Sequence, residues 1–130
     1  MDPVVSFEMT TRPQASAADA PLDGAGVERL RSDFGSRAFG RLVEMFADKT
    51  PERLTEIRMA IEAGNVPAVG ESAHKLKGGC LTLAATHMAE LCEALETLAG
   101  DGSLDGAATL VDQIESAFDE AHAALLAEMS

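Results

Sequence analysis

The sequence predicts an all-α fold: an antiparallel up-down four-helix bundle with one or two additional N-terminal helices. Three observations carry that expectation. Ala, Leu, Glu and Met are abundant while Trp and Tyr are absent, a composition that favours helices over sheets. Apolar residues recur at three- and four-residue spacing, with neither strand-like alternation nor an internal repeat. Helix-stopping punctuation (Gly35, Gly64, Gly100 and "GDGS") divides the chain into runs joined by short connections, which make sequential helices antiparallel neighbours. A chain of 130 residues is long enough for one domain with one hydrophobic core.

Residues 1–21, with three prolines and no helical period, read as a flexible N-terminal leader before a helical domain over 22–130. Asp23 is placed to cap a first short helix striped by Val27, Leu30 and Phe34 and closed by Gly35. Ser36 is placed to cap the next, with Phe39, Leu42, Val43 and Phe46 inward. Thr50-Pro51 reads as a fresh start, with a capping hydroxyl and a proline at the first helical position. That helix has Leu54, Ile57 and Ile61 as its stripe and stops at Gly64. Asn65 caps a fourth helix facing inward through Val69, Ala73, Leu76, Cys80 and Leu83. Thr86 is placed to cap a fifth, with Met88, Leu91, Leu95 and Leu98. From Leu104 through Ala107, Val111, Ile114, Phe118, Ala121 and Leu125 the pattern runs about six turns.

Net charge restricts the partners. A value of −12 with pI near 4.5 argues against nucleic acid and anionic membrane, which require basic surfaces. No stretch approaches the roughly 18 apolar residues of a membrane span, and no signal-peptide pattern opens the chain; a cytoplasmic location follows as an expectation. The two cysteines, Cys80 and Cys92, have no close metal-ligand spacing to each other or to His74 and His87. They read as buried small hydrophobes and no metal site is expected.

The stretch "SAHKLKGGC", 72–80, breaks the pattern. Gly78 and Gly79 each cost a helix about 1 kcal/mol against alanine. On a helix, His74 shares its face with Gly70, Glu71, Lys77, Gly78 and Leu81, away from the Val69–Leu76–Leu83 stripe. It should therefore be exposed, with glycines one turn to either side admitting another surface. From Met59 to Ser130, Lys75 and Lys77 are the only Lys or Arg residues, and both lie within a turn of His74. An exposed imidazole is a nucleophile at cellular pH, and lysines beside it can neutralise anionic oxygens. The chemistry this suggests is acceptance of a phosphoryl group on a ring nitrogen. His87, at a helix start, and His122, on the last helix, lack such surroundings.

"AHKLKGGCLTLAA", 73–85, resembles the signature of the histidine-containing phosphotransfer (HPt) family, A-H-x-L-K-G followed by two small residues. The likeness extends through "LDGAGVERLRSDFG", "FADKTPERLTEIRMAIEAGN" and "MAELCEALETLA", covering about 22–129. It implies that His74 carries the phosphoryl group, that Lys77 supports it, and that Gly78 leaves room for the partner's active site. Two positions depart from the family pattern. The corner that usually holds Gly-Ala is Ala84-Ala85, and the position after the histidine, often Thr or Ser, is Lys75.

The reading that follows is a monomeric phosphocarrier, not a kinase, since no nucleotide-binding motif is present. It takes a phosphoryl group onto His74 from a receiver-domain aspartate and passes it to another receiver. The implied partners are response-regulator receiver domains and a hybrid histidine kinase. Lys77 and Lys75 are the phosphoryl-stabilising residues; Gly78, Gly70, Glu71 and Leu81 give access and docking. No cofactor is expected on this chain, since the resemblance puts Mg²⁺ on the receiver and no acidic cluster is evident near His74. The rival reading is an adaptor of the same fold that docks receivers without carrying phosphate.

Overall fold

The computed structural model describes residues 20–129, in four helical stretches: α1 (Gly24–Glu62), α2 (Val66–Thr82), α3 (Thr86–Gly100) and α4 (Ala107–Glu128). The leader expected over 1–21 lies outside the described residues except for its last two. Each helix packs against its two neighbours around the bundle, α2 with α3 most extensively, then α1 with α2, α3 with α4 and α4 with α1. Among the described residues no helix is long and apolar enough to cross a membrane.

The core is the sum of the inward stripes. Phe39, Val43, Ile57, Val69, Leu76, Met88, Leu95, Val111, Ile114 and Leu125 are all buried, in the three- and four-residue periods that define one helix face. Cys80 and Cys92 are buried free thiols within it. Contact with Cys92 and burial push the Cys80 thiol well above its ordinary range, so it packs as a neutral group.

Two expectations about the first helices are corrected. Gly35 (φ 83, ψ 164) does break α1, in a backbone region that only glycine occupies readily, so residues 24–34 form a short arm. Beyond it, however, one helix runs unbroken to Glu62, with Pro51 inside it. Thr50 is 1% exposed and so part of the buried stripe, not a cap, while Pro51 faces solvent. A proline there removes one helical hydrogen bond, but burial of Phe46, Thr50, Leu54 and Ile57 on a single face holds the helix through it. In the arm, Val27 is buried and Leu30 half-buried, whereas Phe34 is 60% exposed and drops out of its expected stripe.

Helices α1, α2 and α3 end alike. Each closes with one amide reaching back five residues and its predecessor reaching back three: Asn65 N to Ala60 O (2.9 Å) with Gly64 N to Ile61 O (3.0 Å), Ala85 N to Cys80 O (2.8 Å) with Ala84 N to Leu81 O (3.2 Å), and Ser103 N to Leu98 O (3.1 Å) with Gly102 N to Ala99 O (2.9 Å). This closure requires a left-handed residue at its centre, normally glycine. Gly64 (φ 68) and Gly102 (φ 80) supply it, but at the α2–α3 corner the residue is Ala84 (φ 58). The corner thus takes the usual left-handed turn despite the alanine. It also moves the start of α3: Ala85 occupies the cap position and Thr86 is already helical, so Thr86 is not the cap. Asn65 does cap α2, accepting from Ala68 N at 3.2 Å. Leu104 precedes α4 in the loop, packed against the core.

The arm docks on this corner. Asp23 N donates to Ala84 O at 2.8 Å, and a Cβ built on Gly26 would meet the Ala84 methyl at 2.9 Å. Asp23 holds the N-cap position of α1 but makes no side-chain capping bond. A left-handed alanine costs about 1–2 kcal/mol, and its buried methyl returns about 0.8 kcal/mol. Ala84→Gly should therefore raise stability by up to about 1 kcal/mol, whereas Gly64→Ala should lower it by about 1 kcal/mol, having only strain to add because no atom lies within 4 Å of the new methyl. Urea denaturation of both variants checks this pair; a lower midpoint for Ala84→Gly would show that methyl packing outweighs strain.

Candidate functional site

The site is built on the exposed face of α2 and completed by one residue of α3. Asn65 starts α2 and buried Val69, Ala73, Leu76 and Cys80 fix its rotation, which turns His74 outward with its side chain 67% exposed. Its Nδ1 lies 2.9 Å from Glu96 Oε2. With the carboxylate ionised, Nδ1 is the protonated nitrogen and donates, leaving the Nε2 lone pair free. Lys77 Nζ is 2.8 Å from the other oxygen, Oε1. That contact is an ion pair by distance rather than a well-directed hydrogen bond, since among the described residues Oε1 has no hydrogen-bond partner. Lys77, and to a lesser degree His74, hold the Glu96 carboxyl below its usual range, against a smaller opposing effect of burial. Reciprocally, Glu96 raises the Lys77 ammonium.

Glu96 is the residue that sequence reasoning missed, having found no acidic cluster near His74. The signal lay in the hairpin. In two antiparallel helices, residues equally distant from the corner face each other, which brings together Gly70 with Ala99, His74 with Glu96 and Cys80 with Cys92. Glu96 also lies beside the buried stripe of Met88, Cys92, Leu95 and Ala99, a half-buried position where a carboxylate needs a partner.

The other expected residues separate into distinct surroundings. Lys77 leans towards α3 through Glu96, whereas Lys75 lines a cleft on the α1 side of α2. Glu71 is exposed, and Leu81 is 57% exposed on the same face. Gly78 and Gly79 are exposed, and among the described residues a Cβ on either would meet nothing within 4 Å. Thr82 Oγ1 donates to Gly78 O at 3.0 Å, tying the next turn back onto the glycine pair. A Cβ on Gly70 would lie 3.3 Å from that of Ala99, so Gly70 lets α2 and α3 approach closely. His87 and His122 are half-buried, His122 stacking on Phe118 at 5.6 Å between ring centroids. Among the described residues no three His, Cys, Asp or Glu side chains come together to hold a metal ion.

The open surroundings of Gly78 make it a clean test of access against packing. Gly78→Ala should raise stability by about 0.5–1 kcal/mol, since glycine pays the larger backbone entropy in a helix interior. Gly78→Gln should keep most of that gain while slowing any transfer that needs a partner to close over His74. Thermal melts and transfer rates on the same two proteins measure both effects, and a destabilised Gln variant would refute the open-face reading.

Comparison with known proteins agrees with this arrangement. The Hpt domain family model matches residues 41–124. In the solved structures, the chain is similar to histidine-containing phosphotransfer protein B from Pseudomonas aeruginosa PAO1, with 28% sequence identity and a TM-score of 0.79, over 84% of this chain and 94% of that one. No curated protein matches it. An exposed histidine oriented by a carboxylate on a four-helix bundle, with a family match over most of the bundle, assigns a phosphotransfer role in two-component signalling, and the chain belongs to the Hpt domain family.

Proposed function

We propose that His74 accepts a phosphoryl group from the aspartyl phosphate of one receiver domain and hands it to the aspartate of another. The 2.9 Å contact between Nδ1 and Glu96 carries this reading, because it orients the ring and leaves Nε2 as the outward nucleophile. In the forward step Nε2 attacks phosphorus in line; the N–P bond forms, the P–O bond to the aspartate breaks, and the carboxylate departs with its electron pair. The Nδ1 proton stays between ring and Glu96, whose negative charge balances the cationic phosphoimidazole. The reverse sequence on a second receiver regenerates neutral His74.

Lys77, held on the same carboxylate as the ring, supplies positive charge for the phosphoryl oxygens. Gly78 and exposed Leu81 form the surface over which the receiver's active site closes. The divalent cation that receivers use in this chemistry belongs to the partner in this reading. Incubation with a receiver charged with ³²P should place acid-labile, alkali-stable label on this chain. A second receiver should then remove it. No label, or acid-stable label, would refute the proposal; an adaptor would bind the receiver and remain unlabelled.

A further inference from the structure

Charge is divided unevenly along the chain. From Gly78 to Ser130 there are ten Asp and Glu and no Lys or Arg, so α3 and α4, which pack side by side, form an anionic half of the bundle. Cations from elsewhere reach only part of it. Arg58 takes Asp112 and Glu115 at 3.0 and 2.9 Å, Arg31 takes Glu128 at 3.2 Å, and Lys77 takes Glu96. Among the described residues Glu90, Glu93, Asp119 and Glu120 form no ion pair, and all four are exposed.

Within this half a groove of about 390 Å³ runs between α3 and α4. Half-buried Leu91 and buried Ala117 form its apolar floor, and exposed Asp112, Ser116 and Glu120 stand at its rim. Leu98, two turns further along the same stripe of α3, is also half-buried, so the apolar flank continues beyond the groove. Along α4 the groove extends from Thr109 to Glu120, about 16 Å at the helical rise. It lies away from His74. Leu91 and His87, its two residues on α3, precede Glu96 by rotations of roughly 140° and 180° at 3.6 residues per turn. A body seated there leaves the His74 face open.

We propose that the α3–α4 groove is a second interaction surface, which takes a basic amphipathic helix of another protein while His74 stays open to transfer. Shape, length and charge select that occupant. The ridge of side chains on one helix fits the groove between two others, and a groove of this length matches about three turns. Apolar residues of the incoming helix meet Leu91 and Ala117, and its Lys or Arg residues meet Glu120 and the other unpaired carboxylates. The anionic field of this half draws such a partner in. Charge disfavours two occupants closer at hand: a second copy carries −12 itself, and residues 1–19 hold one Arg against three acidic residues. The surface goes beyond the phosphocarrier reading and does not depend on it.

The probe is a synthetic helix of about 14 residues, with leucines on one face and lysines on the other, long enough to span the groove. It is titrated into the full chain at physiological salt, where diffuse attraction between exposed charges is screened. Saturable one-to-one binding is expected, with amide shifts around His87, Leu91, Gln113 and Ser116 and none around His74. Glu120→Lys should weaken binding about tenfold and Glu90→Lys/Glu120→Lys about a hundredfold. Ser116→Gln, which fills the groove without changing the charge, should weaken it about tenfold. Glu44→Lys is the control, because it makes the same charge change at an exposed position of α1 outside the groove; its affinity should stay within about twofold of wild type. A scrambled peptide of the same composition should bind at least about tenfold more weakly, since it has no apolar face to lay in the groove.

Equal losses for Glu44→Lys and Glu120→Lys, equal affinity for the scrambled peptide, or shifts spread over the whole anionic surface would reduce the effect to diffuse charge attraction and overturn the proposal. Shifts centred on His74, or no saturable binding, would overturn it as well. So would sedimentation showing that the chain alone forms a dimer that Glu120→Lys dissociates, because the groove would then seat a second copy. None of these outcomes touches the reading of His74 as a phosphoryl acceptor.

Discussion

His74→Gln should reduce phosphoryl acceptance from a charged receiver to background while leaving helix content unchanged and stability within about 0.5 kcal/mol. The side chain is 67% exposed, so little packing is lost, and glutamine can still donate to Glu96. What disappears is the nucleophilic nitrogen, and no neighbour can replace it. His87 is half-buried, with Nδ1 enclosed and unpartnered among the described residues. His122 is half-buried against Phe118. Labelling from a ³²P-charged receiver, with acid and alkali treatment of the product, measures the outcome. Acid-labile phosphate on the His74→Gln protein would move the acceptor elsewhere.

Glu96→Ala should be the next most damaging change, lowering the transfer rate about 10- to 100-fold, the size of loss seen when the hydrogen-bond partner that orients a metal-bound histidine is removed. Glu96 is a positioning residue: it acts through His74 and touches no reacting atom. Its signature is therefore the imidazole tautomer. In the wild-type protein, ¹⁵N spectra should show the proton on Nδ1 and a free Nε2; in Glu96→Ala the population should shift towards the tautomer protonated at Nε2. Glu96→Asp should recover part of the rate. A slow variant with an unchanged tautomer would reduce Glu96 to a structural role. The same residue has an acid-side consequence. Because its folded pKa lies below the ordinary carboxylate value, the contact adds stability above that ordinary range, and the contribution is lost as pH falls towards the lowered folded value. Glu96→Gln should remove this part of the acid dependence in denaturation curves collected between neutral and acid pH.

What the sequence determined by itself is the rotation of α2 and the placement of its start. The inward stripe of α2, the cap at Asn65 and the exposure of His74 follow from a 100° turn per residue, so Val69, Ala73, Leu76 and Cys80 cannot be buried without turning His74 out. The glycines after it were legible as a cost needing a reason, and Gly78 and Gly79 do face open space. The family signature was legible because it lies within one helix.

The tertiary structure decided the rest. Whether Thr50-Pro51 starts a helix or lies inside one depends on whether burial of Phe46, Thr50 and Leu54 outweighs one missing hydrogen bond, and packing answered for continuity. Ala84 was legible as a departure, but only the three matching helix ends reveal it as an alanine held in a glycine's conformation. Gly70 and Gly78 are the same residue on the same helix. Only the position of Ala99 on α3 makes one a packing contact and the other an opening. Above all, His74, Glu96 and Lys77 become one site because two helices antiparallel about a tight corner bring residues 22 apart in sequence to 2.9 Å. Helical period specifies which way each side chain points; only the register of one helix against the next specifies what it meets.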